Sequence, residues 1–123
     1  MAKFCADDVY LGAFAVITNC NRQTVCSAQP ADFAGIAAVR LAQVTMVYGV
    51  DWDSSAGEGT PAGMKLNVHA KSGLAITAPG TATHICFDNG TKLIYVTTCT
   101  NQQLSLGDTI NLPRWSIELK APV

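Results

Sequence analysis

Five cysteines, two histidines and one acidic, tryptophan-bearing loop are the side chains of this 123-residue chain with the most chemistry to offer. The cysteines are Cys5, Cys20, Cys26, Cys86 and Cys99. No two have C-x-x-C spacing, so the paired ligands of a structural zinc site are missing. Their odd number does not suit a secreted disulfide framework. Cys26 lies between Val25 and Ser27, and Cys86 between Ile85 and Phe87, both in strand-like runs. These positions read as reduced thiols used as small apolar side chains. In an oxidising medium, Cys20–Cys26 and Cys86–Cys99 are the pairs the spacing leaves open. Nothing beside either histidine marks a cysteine as a nucleophile.

His69 alternates with Lys65, Asn67 and Lys71, which places it on the polar face of a strand. His84 shares a face with Ala82 and Cys86 and is expected to be partly buried. Three or four convergent ligands, as a metal site requires, are not visible. Asp51 and Asp53 flank Trp52, with Glu58 close behind. An aromatic with paired acids can stack on a sugar ring and bind its hydroxyls. The plainer reading is a polar loop with one anchoring tryptophan, and it is preferred. Gly57, Gly59 and Gly63 do not form a phosphate-cradling G-x-x-x-x-G-K-[ST] loop. No catalytic, cofactor-binding or metal-ligating residue is therefore expected.

The elements that position these residues read mainly as strands. Residues 6–18 have a broad apolar face of Val9, Ala13, Phe14, Val16 and Ile17, and Asp7 and Asp8 suit the first turn of a helix. Asn19 can end that helix in a left-handed conformation. Strands then run from residue 22 to residue 119. In 41–48 the core face is Ala42, Val44, Met46 and Tyr48, and in 64–70 it is Met64, Leu66, Val68 and Ala70. Lys71-Ser72-Gly73 reads as a turn, and residues 49–63 as one long loop. Asp88-Asn89-Gly90 between two apolar runs is a strong hairpin signal. The expectation is one domain, 1–123, mainly β: an antiparallel β-sandwich, jelly-roll-like, of about seven strands with one N-terminal helix.

Composition narrows the class. Charged residues make up 14% of the chain, against roughly 25% in an ordinary soluble domain. The net charge of -1 argues against a nucleic-acid binder. With 49% apolar residues the chain can build a core. No apolar stretch approaches the roughly 18 residues of a membrane span. Lys3 is the only early basic residue, and Asp7 and Asp8 interrupt any hydrophobic region, so no signal peptide is expected. A weakly charged surface rich in Thr, Ser, Asn and Gln can be buried against partners without stranding charge, which favours a subunit of an assembly.

Three blocks carry a family resemblance: DDVYLGAFAVITNC at 7–20, CSAQPADFAGIAAVRLAQVTM at 26–46, and GTATHICFDNGTKLIYVTTCTNQQLSLGDTINLPRW at 80–115. Together they resemble small virion structural proteins of tailed bacteriophages, of the capsid decoration (cement) type. The chain departs from that pattern in a shorter, glycine-rich linker around 54–63 and in Cys5 and Cys86. The resemblance implies a non-enzymatic protein on the capsid surface, made in the bacterial cytoplasm, which binds the major capsid protein and itself as a dimer or trimer. It implies no cofactor, nucleic acid or membrane. A tail or head–tail connector subunit is the alternative, and a carbohydrate-binding or adhesin module a further one. Phe4, Tyr48, Asp51, Trp52 and Asp53, in the N-terminal segment and the long loop, are the expected contact residues. On this reading, truncating Trp52 weakens docking and leaves the fold unchanged.

Overall fold

A computed structural model of the chain describes residues 7–56 and 64–119. Phe4, Cys5, Glu58 and the glycines at 57, 59 and 63 lie outside the described residues. Among the described residues two helices, α1 (Asp7–Thr18) and α2 (Ile36–Val39), accompany nine strands: β1 (Arg22–Cys26), β2 (Arg40–Thr45), β3 (Trp52–Ala56), β4 (Met64–Val68), β5 (Lys71–Ala75), β6 (Gly80–Asp88), β7 (Leu93–Leu104), β8 (Thr109–Leu112) and β9 (Trp115–Leu119). The fold is mainly β. Its antiparallel sheets have the orders β2-β1-β6-β7, β3-β4-β9 and β5-β8.

Strand β1 is central, flanked by β2 and β6. Its last four residues, Gln23 to Cys26, are all buried, as expected for a strand covered on both faces. Gln23 stays satisfied there: its Oε1 accepts the Trp115 indole N–H at 3.3 Å. The Asp88-Asn89-Gly90 signal becomes the β6–β7 hairpin, with Asp88 opposite Leu93. Asn89 Oδ1 accepts the backbone N–H groups of Thr91 and Lys92 at 3.0 and 2.8 Å, and Gly90 takes a φ of +92° that favours glycine. Strand β4 buries Met64, Leu66 and Val68 of the expected face, but ends there, and Ala70 beyond it is exposed.

The structure departs from the sequence reading in several places. The expected loop 49–63 contains β3, which pairs with β4 from Trp52↔Val68 to Ala56↔Met64. Its serines and acid hide the alternation that marks a strand, and the partner strand supplies the ordering. Lys71-Ser72-Gly73 belongs to β5, where a register irregularity between Lys71 and Leu74 absorbs the glycine. Helix α1 turns Tyr10, Phe14 and Ile17 inward and leaves Val9 and Val16 61% and 56% exposed. A helix apolar nearly all round offers two overlapping stripes, and the sheet selects the one bearing the large rings. Asn19 ends α1 through its side chain, which donates to the Ala15 carbonyl at 2.7 Å; no described non-glycine residue has positive φ. Tyr48 follows β2 but is 70% exposed and off the core face. Among the described residues, no helix is long and apolar enough to cross a membrane.

The described residues form three interior clusters. The first joins α1 to β3, β4 and β9 around Phe87. Its rings interlock: Trp115 stacks on Phe87 at 5.6 Å, and Trp52 tilts against the same ring at 4.9 Å. The second gathers Val25, Leu41, Ala42, Leu74, Ile76, Ile110 and Leu112 between β1, β2, β5 and β8. The third lies beneath α2 and contains Cys26, Cys86 and Ile36.

Candidate functional site

The acidic loop of the sequence reading resolves into two carboxylates with separate tasks. Asp51 is buried and faces inward across the turn between β2 and β3. Its Oδ2 accepts the Val47 N–H at 2.7 Å, and its Oδ1 meets the Lys71 ammonium at 2.7 Å. Burial pushes this carboxyl up, but the Lys71 and Val47 hydrogen bonds outweigh it and hold the group below its ordinary value. Asp51 is a clamp on the 47–51 turn. The turn in turn displays Val47, Tyr48 and Val50, which are 47%, 70% and 62% exposed.

Asp53 points the other way, onto the outer face of the β3-β4-β9 sheet. The ladder sets Asn67 directly opposite it, and Asn67 donates to Asp53 Oδ1 at 2.6 Å. His69 Nε2 lies 2.8 Å and Arg114 3.1 Å from Asp53 Oδ2. Hydrogen bonds from His69, then Asn67, then Arg114 bring this carboxyl down from 3.8 to about 2. The four side chains come from three neighbouring strands or the residues beside them. The cluster sits at the surface, with Asp53 45% and Arg114 55% exposed, so its ionic pairs are solvent-screened. It orients an imidazole against a carboxylate, but no described serine, threonine or cysteine hydroxyl or thiol is hydrogen-bonded to that imidazole. A surface groove of about 290 Å³ lies alongside, lined by Leu11, Phe14, Tyr48, Trp52, Asp53 and Leu66 among others.

Searches against protein-family models, curated proteins and solved structures find no match for this chain.

Of the expected contact residues, Tyr48 is on the surface, Asp53 is half-exposed in the polar cluster, and Phe4 lies outside the described residues. Asp51 and Trp52 are enclosed, each 6% exposed. Trp52 corrects the sequence reading: its indole packs on Phe87 inside the core, so its truncation strikes the fold directly. A sugar-stacking role needs an open indole face, and this one is covered. His84 is partly buried and hydrogen-bonded through Nδ1 to the Thr83 hydroxyl at 2.8 Å. Among the described residues, no group of three or more His, Cys, Asp or Glu side chains is arranged to hold a metal ion.

Sequence reasoning missed two features. The Asp53–Asn67–His69–Arg114 cluster has members up to 61 positions apart, and only the ladder brings them together. The second is strand β7. It is twelve residues long, Leu-Ile-Tyr-Val-Thr-Thr-Cys-Thr-Asn-Gln-Gln-Leu, with no charge and no proline. It forms one end of its sheet, and no described backbone group outside the β6 ladder bonds to it along its length. The opposite end, β2, is closed by the segment after β5, where Thr77 N–H donates to the Leu41 carbonyl at 2.8 Å. The composition of β7 was legible, but its place at an edge was not.

Proposed function

We propose that this protein is a capsid decoration (cement) subunit of a tailed bacteriophage, a structural and non-catalytic protein. On this reading its sheets wrap into a jelly-roll-like sandwich that acts as a rigid body on the shell formed by the major capsid protein. The resemblance in the three sequence blocks supplies the role. The observation that carries self-association is the bare, uncharged edge of β7. Monomeric proteins protect long edge strands with lysine, proline or a covering element, because an open edge recruits another strand. Here no described residue pairs with the edge.

A second copy is the occupant that suits it. Two β7 strands related by a two-fold axis pair antiparallel, and residues near the axis then face their own counterparts. A single charge there would oppose itself, and β7 has none along its length. The exposed Tyr48 turn and the groove beside it lie on a different element and are left for the shell.

The test begins with the free protein. Sedimentation velocity at micromolar concentration should show a dimer. The double substitution Thr98→Lys and Thr100→Lys, at two exposed β7 positions, should give a monomer with unchanged circular dichroism. A wild-type chain that stays monomeric at those concentrations overturns the edge reading. Counting copies on purified particles tests the shell role: hundreds per particle support it, and confinement to tails gives the tail-subunit alternative its place.

A further inference from the structure

The third interior cluster places two thiols side by side. Cys26 closes β1 and Cys86 lies on β6; in the register Thr24 faces Cys86 and Cys26 faces His84. The two cysteines are thus diagonal neighbours on one face of the sheet. Their Sγ atoms are 3.8 Å apart and both residues are 0% exposed. A disulfide needs that gap to close to about 2.05 Å. At Cys26 the ladder to β2 is irregular, with a register shift between Val25 and Cys26, and such a bulge lets a side chain re-aim. Neither pair left open by the sequence spacing is brought together as closely; Cys20 instead turns its thiol to the Val16 carbonyl.

We propose that Cys26 and Cys86 form a redox-closed cross-strand staple, oxidised to a disulfide by a small peroxide and reopened by thiol reductants. The proposal stands on the sheet geometry and is independent of the shell reading.

The surroundings suit the chemistry. Ile36 of α2 covers the pair, with Phe33, Val39, Leu93 and Val96 packed around it. Phe33 and Leu93 also line an open surface hollow of about 500 Å³, which brings solvent up to the side chains packed on the pair. The hydrogen bond between the thiols, ahead of burial, pushes Cys26 up; the same bond draws Cys86 down. With Cys26 donating in that hydrogen bond, a Cys86 thiolate is stabilised where it forms. Thr24 stands opposite Cys86 in the ladder, and its buried hydroxyl also helps draw that thiol down.

The steps balance. The Cys86 thiolate attacks one peroxide oxygen, the O–O bond breaks, and hydroxide leaves and takes up a proton as water. Cys86 is then a sulfenic acid. The Cys26 sulfur attacks the Cys86 sulfur, the S–O bond breaks, and the hydroxyl leaves with the Cys26 proton as a second water. Two thiols and one peroxide become one disulfide and two waters. The bond closes a loop across a separation of 60 positions, which restricts the unfolded chain strongly.

The experiment treats the purified full-length chain with hydrogen peroxide, quenches it, alkylates it under denaturing conditions and maps its peptides by mass spectrometry. The expected result is a linked Cys26–Cys86 peptide that dithiothreitol dissolves, with the melting temperature of the oxidised protein raised by about 5–10 °C. Cys86→Ala should abolish the link, and Cys99→Ala should leave it intact. Full alkylation of Cys26 and Cys86 after peroxide treatment overturns the proposal. So does a cross-link that maps to Cys5, Cys20 or Cys99.

Discussion

Trp52 shows how one side chain's meaning depends on its surroundings. Flanked by two aspartates, it invites a reading as an exposed anchor, yet its ring fills the core against Phe87. Trp52→Ala should therefore cost about 3–5 kcal/mol in a urea unfolding titration, the scale for emptying a large aromatic site. Its indole N–H is also buried without a partner. Trp52→Phe keeps most of the ring and removes that orphan donor, so it should cost clearly less than Trp52→Ala. Equal losses for both variants would mean that the indole N–H is not orphaned. Asp53 gives the residue scale a pH signature. Its carboxyl is depressed from 3.8 to about 2 in the folded chain. A depressed acid stabilises above its unfolded value, and that contribution is lost as pH falls through the folded value. The wild-type urea midpoint should fall between pH 4 and pH 2, and Asp53→Asn should flatten that part of the profile.

Among the elements, the β6–β7 hairpin has the most concentrated local specification. Asp88 is fully buried at its base, where Oδ2 meets Arg22 Nε at 2.9 Å and Oδ1 accepts the Gly90 N–H at 2.9 Å. One carboxylate thus ties β1 to the hairpin and shapes the turn. Asp88→Ala removes both bonds and leaves Arg22 unpaired, and chemical denaturation should register a loss of about 3 kcal/mol. Arg22→Ala leaves the buried carboxylate itself uncompensated and should be at least as costly. A loss under about 1 kcal/mol for Asp88→Ala would show that water replaces the pair. The same hairpin ends in the open edge of β7, so the element that orders the sheet also presents its unpaired side.

For the whole molecule, 14% charged residues and a net charge of -1 leave little repulsion between copies. That suits a protein packed against many others on a shell, and it gives the proposed role a particle-level consequence. Particles stripped of the protein should release their genome at a lower temperature than complete ones, and adding the purified chain back should restore the difference. Stripped particles as heat-resistant as complete ones would remove the cementing role. Adding back the Thr98→Lys, Thr100→Lys chain separates shell docking from self-association, since β7 and the Tyr48 turn are different elements.

The amino-acid sequence by itself determined what depends on near neighbours. The β6–β7 hairpin was legible because Asn89 and Gly90 satisfy the turn within a few residues, and the helix at 7–18 and the inward face of β4 because their periodicities are local. Only the tertiary structure decided the rest. Strand β3 lacks alternation of its own and exists through its pairing with β4. Trp52 moves from presumed surface to core because Phe87, 35 positions away by number, provides the cavity it fills. The Asp53 cluster and the Cys26–Cys86 pair arise from ladder register, which sets distant residues side by side and which no short stretch of sequence encodes. The place of β7 at the end of its sheet is a property of sheet order, decided only when the other described strands have taken their places.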